Sequence, residues 1–321
     1  MTAPAPTLRL VYSGPAEVVE DVKAVTGTAM DVQWVPPEPG AVAVALAGAA
    51  AFLDASMKVA IGADMIQASP HLLVIATATT GADHIDEAAL ARAGIPLYTL
   101  RGQTELLRDL TPAAEHSWLL VMACARSLPA AHAHVLGGGW NRVDFPGVML
   151  RGKTLGIIGC GRIGTWMSRY AEAFGMRCLG HDPLLTAWPP TITPAPLERL
   201  LAAADFVTLH VPFTRDNAGM IDRACFQRMK RGAVFVNTSR GDLVDERALL
   251  EALESGRLAA AGLDVLTGEP EIADHPLRQY ALTHTNLILT PHIGGFSPDA
   301  VRIVVRFAAE RIVRHLGVAT S

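Results

Sequence analysis

Residues 153–164 read Lys-Thr-Leu-Gly-Ile-Ile-Gly-Cys-Gly-Arg-Ile-Gly, and this stretch decides the fold. An apolar strand, Thr154–Ile158, runs into Gly159, Gly161 and Gly164 in G-x-G-x-x-G spacing, and a helical segment, Arg162–Phe174, follows at once. Glycines so placed permit a tight turn and let backbone approach a pyrophosphate, which then rests on the helix N-terminus. Arg162 and Ile163 complete that turn and are read as cofactor-binding with it. A second strand, Arg177–His181, ends before Asp182, 18 residues after Gly164. A carboxylate there suits a ribose 2′-hydroxyl and repels a 2′-phosphate, so NAD is favoured over NADP. The competing reading is a glycine-rich turn followed by an ordinary Asp-Pro turn. Strand, helix, strand and acid in register decide for the dinucleotide.

Outward from this unit, short β-rich runs alternate with alanine- and leucine-rich helical stretches. Candidate strands are Leu8–Tyr12, Val42–Leu46, Leu72–Ala76 and Ile95–Tyr98, with a helix at Glu87–Ala93. A second series has strands Thr154–Ile158, Arg177–His181, Phe206–Val211, Ala233–Thr238, Ala259–Val265 and Leu287–Thr290. Helices Leu197–Ala203 and Glu246–Ser255 lie between them. Repeated strand, helix, strand implies parallel sheets covered on both faces, and two series imply two doubly wound α/β domains. The 321 residues, half of them hydrophobic, suffice for two cores. A net charge of −4 excludes a basic nucleic-acid footprint, and the apolar content excludes whole-chain disorder.

The longest apolar-plus-glycine run, Ala41 to Leu53, is 13 residues and is too short to span a bilayer. The first residues lack the basic start and apolar core of a secretion signal, so a cytoplasmic location is expected. Cys124, Cys160, Cys178 and Cys225 form no C-x-x-C pair and are read as buried reduced thiols. His132 and His134 sit two apart in a helical stretch and are read as solvated surface histidines, so no metal site is expected. Residues 113–136 read as one long apolar helix ended by Gly137-Gly138-Gly139. Asp299 to His315 reads as an amphipathic helix that either returns to the first domain or packs on the second.

Three further segments carry chemistry: Val236-Asn-Thr-Ser-Arg-Gly241, Gly262-Leu-Asp-Val-Leu-Thr-Gly-Glu-Pro270 and Thr290-Pro-His-Ile-Gly-Gly295. With the glycine loop and Thr80-Gly-Ala-Asp-His-Ile-Asp86, they closely resemble the D-isomer-specific 2-hydroxyacid dehydrogenase family from about residue 70 onward. The resemblance implies a Rossmann NAD-binding domain, 112–295, inserted into a flavodoxin-like substrate domain formed by 1–111 and 296–321. It implies an NAD-dependent oxidoreductase acting between a 2-keto acid and a D-2-hydroxy acid, and a homodimer with the long helix at its interface.

It also implies a triad, matched by Arg240, Glu269 and His292. The chemistry is sound on its own terms. Hydride transfer to a keto acid leaves negative charge on the carbonyl oxygen, so His292 would supply a proton there. Glu269 would favour the imidazolium and orient the ring, and Arg240 would hold the carboxylate and polarise the carbonyl. Singly, each could be an unremarkable loop residue. Together, each follows the C-terminal end of a candidate strand, where open α/β sheets bind ligands.

The family pattern further implies that Asp264 meets the nicotinamide carboxamide. Val211, Pro212, Thr238, Ser239, Gly294 and Gly295 would line the cofactor. Backbone at Thr80 and Gly81 would hold the substrate carboxylate across a closing cleft, and His116 is read as structural. Two stretches depart from the pattern. Thr79-Thr80-Gly81 replaces glycine or serine followed by valine, and Thr99 to Thr111 is longer and more charged than the usual connection. Arg101, Gln103 or Arg108 reaching the far end of a polar substrate is one reading of that loop; a solvent-facing charged loop is the other. The chain stops at Ser321 without a regulatory extension, which argues against an allosterically controlled phosphoglycerate dehydrogenase. A nonenzymatic NAD-sensing module and a phosphite-type dehydrogenase on this scaffold stay open, whereas Glu269 argues against a formate dehydrogenase.

Overall fold

The computed structural model describes residues 7–318. The chain divides into two compact units, Met1–Asp109 with Ser297–Ser321, and Leu110–Phe296.

The first unit alternates β1 (Leu8–Ser13), α1 (Val19–Thr26), β2 (Met30–Val35), α2 (Pro39–Leu46), β3 (Ala51–Asp54), α3 (Ala63–Gln67), β4 (Val74–Thr77), α4 (Glu87–Ala93), β5 (Leu97–Tyr98) and α5 (Thr104–Arg108). Its five strands are parallel in the order β2-β1-β3-β4-β5, the flavodoxin-like winding. Val11, Phe52 and Ile75 of the sheet meet Val42, Leu46 and Leu90 of the helices on one face. The stretch Val42–Leu46, expected as a strand, is helical. Pro39 starts the helix at a position that needs no N–H, and Val42, Ala45 and Leu46 then share a buried face while Val44 is exposed. Its place in the sheet is taken by β3, every residue of which is buried. The charged connection 99–111 contains α5, where Arg108 pairs with Glu105 and Asp109.

The second unit begins with α6 (Pro112–Ala125) and α7 (Leu128–Leu136). The expected single helix 113–136 is therefore two, with a bend of 62°. Pro129 cannot donate to the Ala125 carbonyl four residues back, and its ring would clash there. Val148 N–H donates to that carbonyl instead, at 2.8 Å, and Ser127 turns the chain at φ +47°. No single helix among the described residues is long and apolar enough to cross a membrane.

Then follow β6 (Thr154–Ile158), α8 (Arg162–Ala173), β7 (Arg177–His181), β8 (Thr193–Pro194), α9 (Leu197–Ala203), β9 (Phe206–Leu209), α10 (Arg223–Arg228), β10 (Ala233–Asn237), α11 (Glu246–Glu254), β11 (Leu258–Leu263), α12 (Pro276–Ala281) and β12 (Leu287–Leu289). The seven strands are parallel, ordered β12-β11-β10-β9-β6-β7-β8, the Rossmann winding extended by one strand. Winding reverses between β6 and β9, the point at which such sheets open a crevice. The last helix, α13 (Pro298–Leu316), packs on α1 and β4 of the first unit and buries Val305, Ala308, Ala309 and Ile312.

Candidate active site

Strand register sets the site. Ile158 pairs with both His181 and Leu209, Leu209 with Asn237, Asn237 with Leu263, and Leu263 with Leu289. The next residue on each strand therefore falls in one row at the C-terminal edge: Asp182, Gly159, His210, Thr238, Asp264 and Thr290. Arg240, Glu269 and His292 lie a few residues beyond, on the loops leaving β10, β11 and β12.

At the switch point the glycines separate by role. Gly159 has φ +87°, and a Cβ there would come within 2.5 Å of the His210 carbonyl oxygen. A Cβ on Gly164 would lie 2.3 Å from the Gly159 oxygen, so helix and strand touch through it. Nothing lies within 4 Å of a Cβ placed on Gly161. That open space sits at the N-terminus of the 12-residue α8. A concave backbone, an open position and a helix N-terminus fit a pyrophosphate.

Asp182 borders this cradle: its Oδ2 accepts from Cys160 N–H at 2.9 Å and its Oδ1 from Leu184 N–H at 3.0 Å. Arg162 donates to the Leu110 carbonyl, while Ile163 packs on the core. Burial pushes the Cys160 thiol up to about 12, with Asp182 adding to the effect. All four cysteines are free thiols; Cys225 is only half-buried. Val211 is half-buried and Pro212 exposed beyond β9. His210 was not singled out by its sequence position, yet both its ring nitrogens are sealed from solvent without a partner. Part of the residue stays accessible, but burial of the nitrogens pushes its pKa down to about 3.

On the other side of the edge, His292 Nδ1 bonds Glu269 Oε1, with both side chains about one-third exposed. Glu269 Oε2 accepts from Leu266 N–H at 3.1 Å, so the carboxylate is held at both oxygens. His292 has φ +54°, an uncommon left-handed conformation for a non-glycine residue. Its N–H donates to the Asp264 carbonyl at 2.8 Å, and the next two N–H groups, of Ile293 and Gly294, donate to the Asp264 carboxylate at 3.0 and 2.7 Å. Three successive donors to one residue hold the strained turn in place.

Asp264 also accepts from Thr290 Oγ1 at 2.6 Å and lies 3.2 Å from His116 Nε2 on α6. Burial works against its ionised form, but bonds from His116, Thr290, Ile293 and Gly294 outweigh that and hold its pKa below the usual carboxylate range. His116, read from sequence as structural, is thus tied directly to the turn that presents His292.

On β10's loop, Asn237 donates to the Arg240 carbonyl at 2.8 Å and accepts from Ser239 N–H at 2.9 Å. Ser239 Oγ donates to the Leu209 carbonyl, Thr238 Oγ1 meets Ser117 Oγ, and Arg240 Nη1 donates to the Ser239 carbonyl at 2.8 Å. Gly294 is buried beside Asp264 and Gly295 is exposed. Thr80 and Gly81 belong to the first unit, on the loop after β4, where Thr79 Oγ1 donates to the Gly81 carbonyl.

His132 is exposed, but His134 is not simply solvated. Its Nε2 accepts from Asn141 N–H at 3.2 Å and its ring packs edge-on against Phe145. No cluster of three or more His, Cys, Asp or Glu among the described residues could hold a metal.

The family model for the D-isomer-specific 2-hydroxyacid dehydrogenase NAD-binding domain matches residues 118–294. D-3-phosphoglycerate dehydrogenase of Archaeoglobus fulgidus is 38% identical over 256 residues, 79% of this chain and 47% of that protein. The chain spans about half the length of the phosphoglycerate dehydrogenases it matches. Hydroxypyruvate reductase of Thermotoga maritima is 38% identical over 259 residues, 80% of this chain and 81% of that one. A crystallised protein of Thermus thermophilus superposes with a TM-score of 0.84 at 31% identity, covering 97% of each chain.

Proposed function

Because this chain belongs to the D-isomer-specific 2-hydroxyacid dehydrogenase family, we propose that it reduces a 2-keto acid to the D-2-hydroxy acid, or runs the reverse oxidation. NAD is the cofactor of the family's nucleotide domain, and the cradle of Gly159, Gly161 and Gly164 fits it. When bound, it supplies or accepts the hydride. Asp182 at the end of β7 favours NAD over NADP by charge.

The observation that carries the proposal is the contact between His292 Nδ1 and Glu269 Oε1. With Nδ1 committed to the carboxylate, Nε2 is the nitrogen that gives a proton to the carbonyl oxygen and takes it back in oxidation. Arg240 binds the substrate carboxylate and draws charge toward the carbonyl oxygen. Asp264 acts through the 290–294 turn, whose backbone it ties. Val211, Pro212, Thr238, Ser239, Gly294 and Gly295 line the cofactor in this reading.

The same proposal gives the substrate-domain role to the first unit, Met1–Asp109 with Ser297–Ser321, where Thr80 and Gly81 take the substrate carboxylate. Arg101, Gln103 or Arg108 would sense the far end of the substrate, the alternative being a solvent-facing charged loop in which Arg108 pairs with Glu105 and Asp109. Homodimerisation would cover the apolar groove of α6, α7 and the segment after them, which includes Leu119, Met122, Leu128, Val135 and Trp140.

The test is NADH oxidation followed with glyoxylate, hydroxypyruvate and longer 2-keto acids. Turnover that His292→Ala lowers by roughly a hundred-fold or more, with NADH affinity retained, is expected. NADH binding without turnover on any of them would move the reading to an NAD-sensing module.

A further inference from the structure

Glu246 opens α11 and lies outside the site as read from sequence. Its carboxylate turns back toward the loop after β11: Oε1 accepts from Thr267 N–H at 2.9 Å, and Oε2 lies 2.9 Å from His275 Nε2. Both side chains are largely withdrawn from solvent, 17% and 11% exposed. His275 Nδ1 accepts from Leu277 N–H at the start of α12, so Nε2 carries the proton and donates it to Glu246. Gly241 presses on the same peptide, since a Cβ there would lie 2.2 Å from both Leu266 C and Thr267 N. The Leu266–Thr267 peptide therefore meets both Gly241 and Glu246. Leu266 N–H in turn donates to Glu269, whose other oxygen meets His292.

We propose that Glu246, held by His275, is a positioning residue for the Glu269–His292 pair. The proposal rests on reading that pair as the acid–base couple. A carboxylate fixed by two hydrogen bonds pins the Thr267 N–H more tightly than water would. The peptide one residue earlier sets where Glu269 stands. Other titratable or charged groups near the pair include Arg240, whose loop touches this one through Gly241, Asp264 and His116 beneath the 290–294 turn, and the exposed Glu271 and Asp274 on the same loop.

The experiment compares Glu246→Ala, Glu246→Gln and Glu269→Gln in the full chain. The readouts are kcat, the pH profile of keto-acid reduction, NADH affinity and Tm. Glu246→Ala is expected to lower kcat by roughly ten- to hundred-fold while NADH affinity holds. Its alkaline limb moves to lower pH, because a displaced carboxylate favours the imidazolium less. Glu246→Gln keeps an acceptor for Thr267 N–H and recovers most of kcat. If Glu246→Ala fails to fold, His275→Gln, which loosens the hold on the Glu246 carboxylate, should move kcat and the limb in the same direction. A change in Tm alone, with kcat and the limb at wild-type values, overturns the positioning role. An unchanged profile in Glu269→Gln overturns the acid–base reading and this proposal with it.

Discussion

His116 Nε2 on α6 stands 3.2 Å from Asp264 Oδ1 and 2.9 Å from Thr290 Oγ1, so a helix before the glycine loop is tied to the turn that presents His292. Asp264 is 1% exposed and ionised by virtue of these donors. Replacing His116 by Ala should destabilise the unit by about 1–3 kcal/mol, the cost of leaving a buried acceptor short of a donor. It should also lower turnover more than NADH affinity. Urea unfolding and steady-state kinetics check this; unchanged stability would show that Thr290 and the backbone suffice.

His210 predicts a pH effect. Its folded-state pKa of about 3 lies below the ordinary 6.5, so the unfolded chain takes up the proton first. Stability from this group is complete above about pH 6.5 and is lost as pH falls toward about 3, by at most about 1.4 kcal/mol per pH unit. His210→Leu should flatten that part of the slope. Unfolding free energies from pH 7 to pH 4 measure it, and identical slopes in both proteins would refute the assignment.

Gly164 and Gly161 should fail differently. Gly164→Ala drives a Cβ to 2.3 Å from the Gly159 oxygen and should cost about 1–3 kcal/mol of stability. Gly161→Ala meets no protein atom, so stability should stay within about 1 kcal/mol while NADH affinity falls at least about ten-fold. Thermal unfolding beside NADH fluorescence titration separates the two.

Asp182 can be tested by cofactor choice. On the proposed reading Asp182 would repel a 2′-phosphate, so Asp182→Ala should raise the ratio of kcat/KM for NADPH to that for NADH, by roughly ten-fold or more. A ratio at the wild-type value would place the discrimination elsewhere.

Trp140 is 89% exposed and lines one groove with Leu128 and Val135 of α7. If the proposed dimer forms through this groove, Trp140→Glu should shift the molecular mass by light scattering from two chains to one, since a charge in an apolar interface is costly. A wild-type protein that runs as a single chain would refute the dimer.

Legibility in the sequence followed the range of the forces. The glycine spacing, the alternation of strands and helices, and the residues just past each strand were readable because turns, caps and periodicity are local. The half-polar edge strand β2 was missed, since only its outer residues are buried. Val42–Leu46 is a short apolar run that reads equally as a buried strand, and only Pro39 ahead of it and β3 behind it settle its helical state.

By itself, then, the sequence determined two doubly wound units, a dinucleotide cradle and a histidine, a glutamate and an arginine at strand ends. Tertiary structure alone decided who supports them. Strand register brings Asp264 under the His292 turn, and α6 delivers His116 to it. Ala125 receives Val148 in place of the donor that Pro129 lacks, and Glu246 reaches Thr267 from a neighbouring helix. These contacts join residues far apart in the chain. No local propensity encodes them, because their partners meet only when the packed sheet fixes its register.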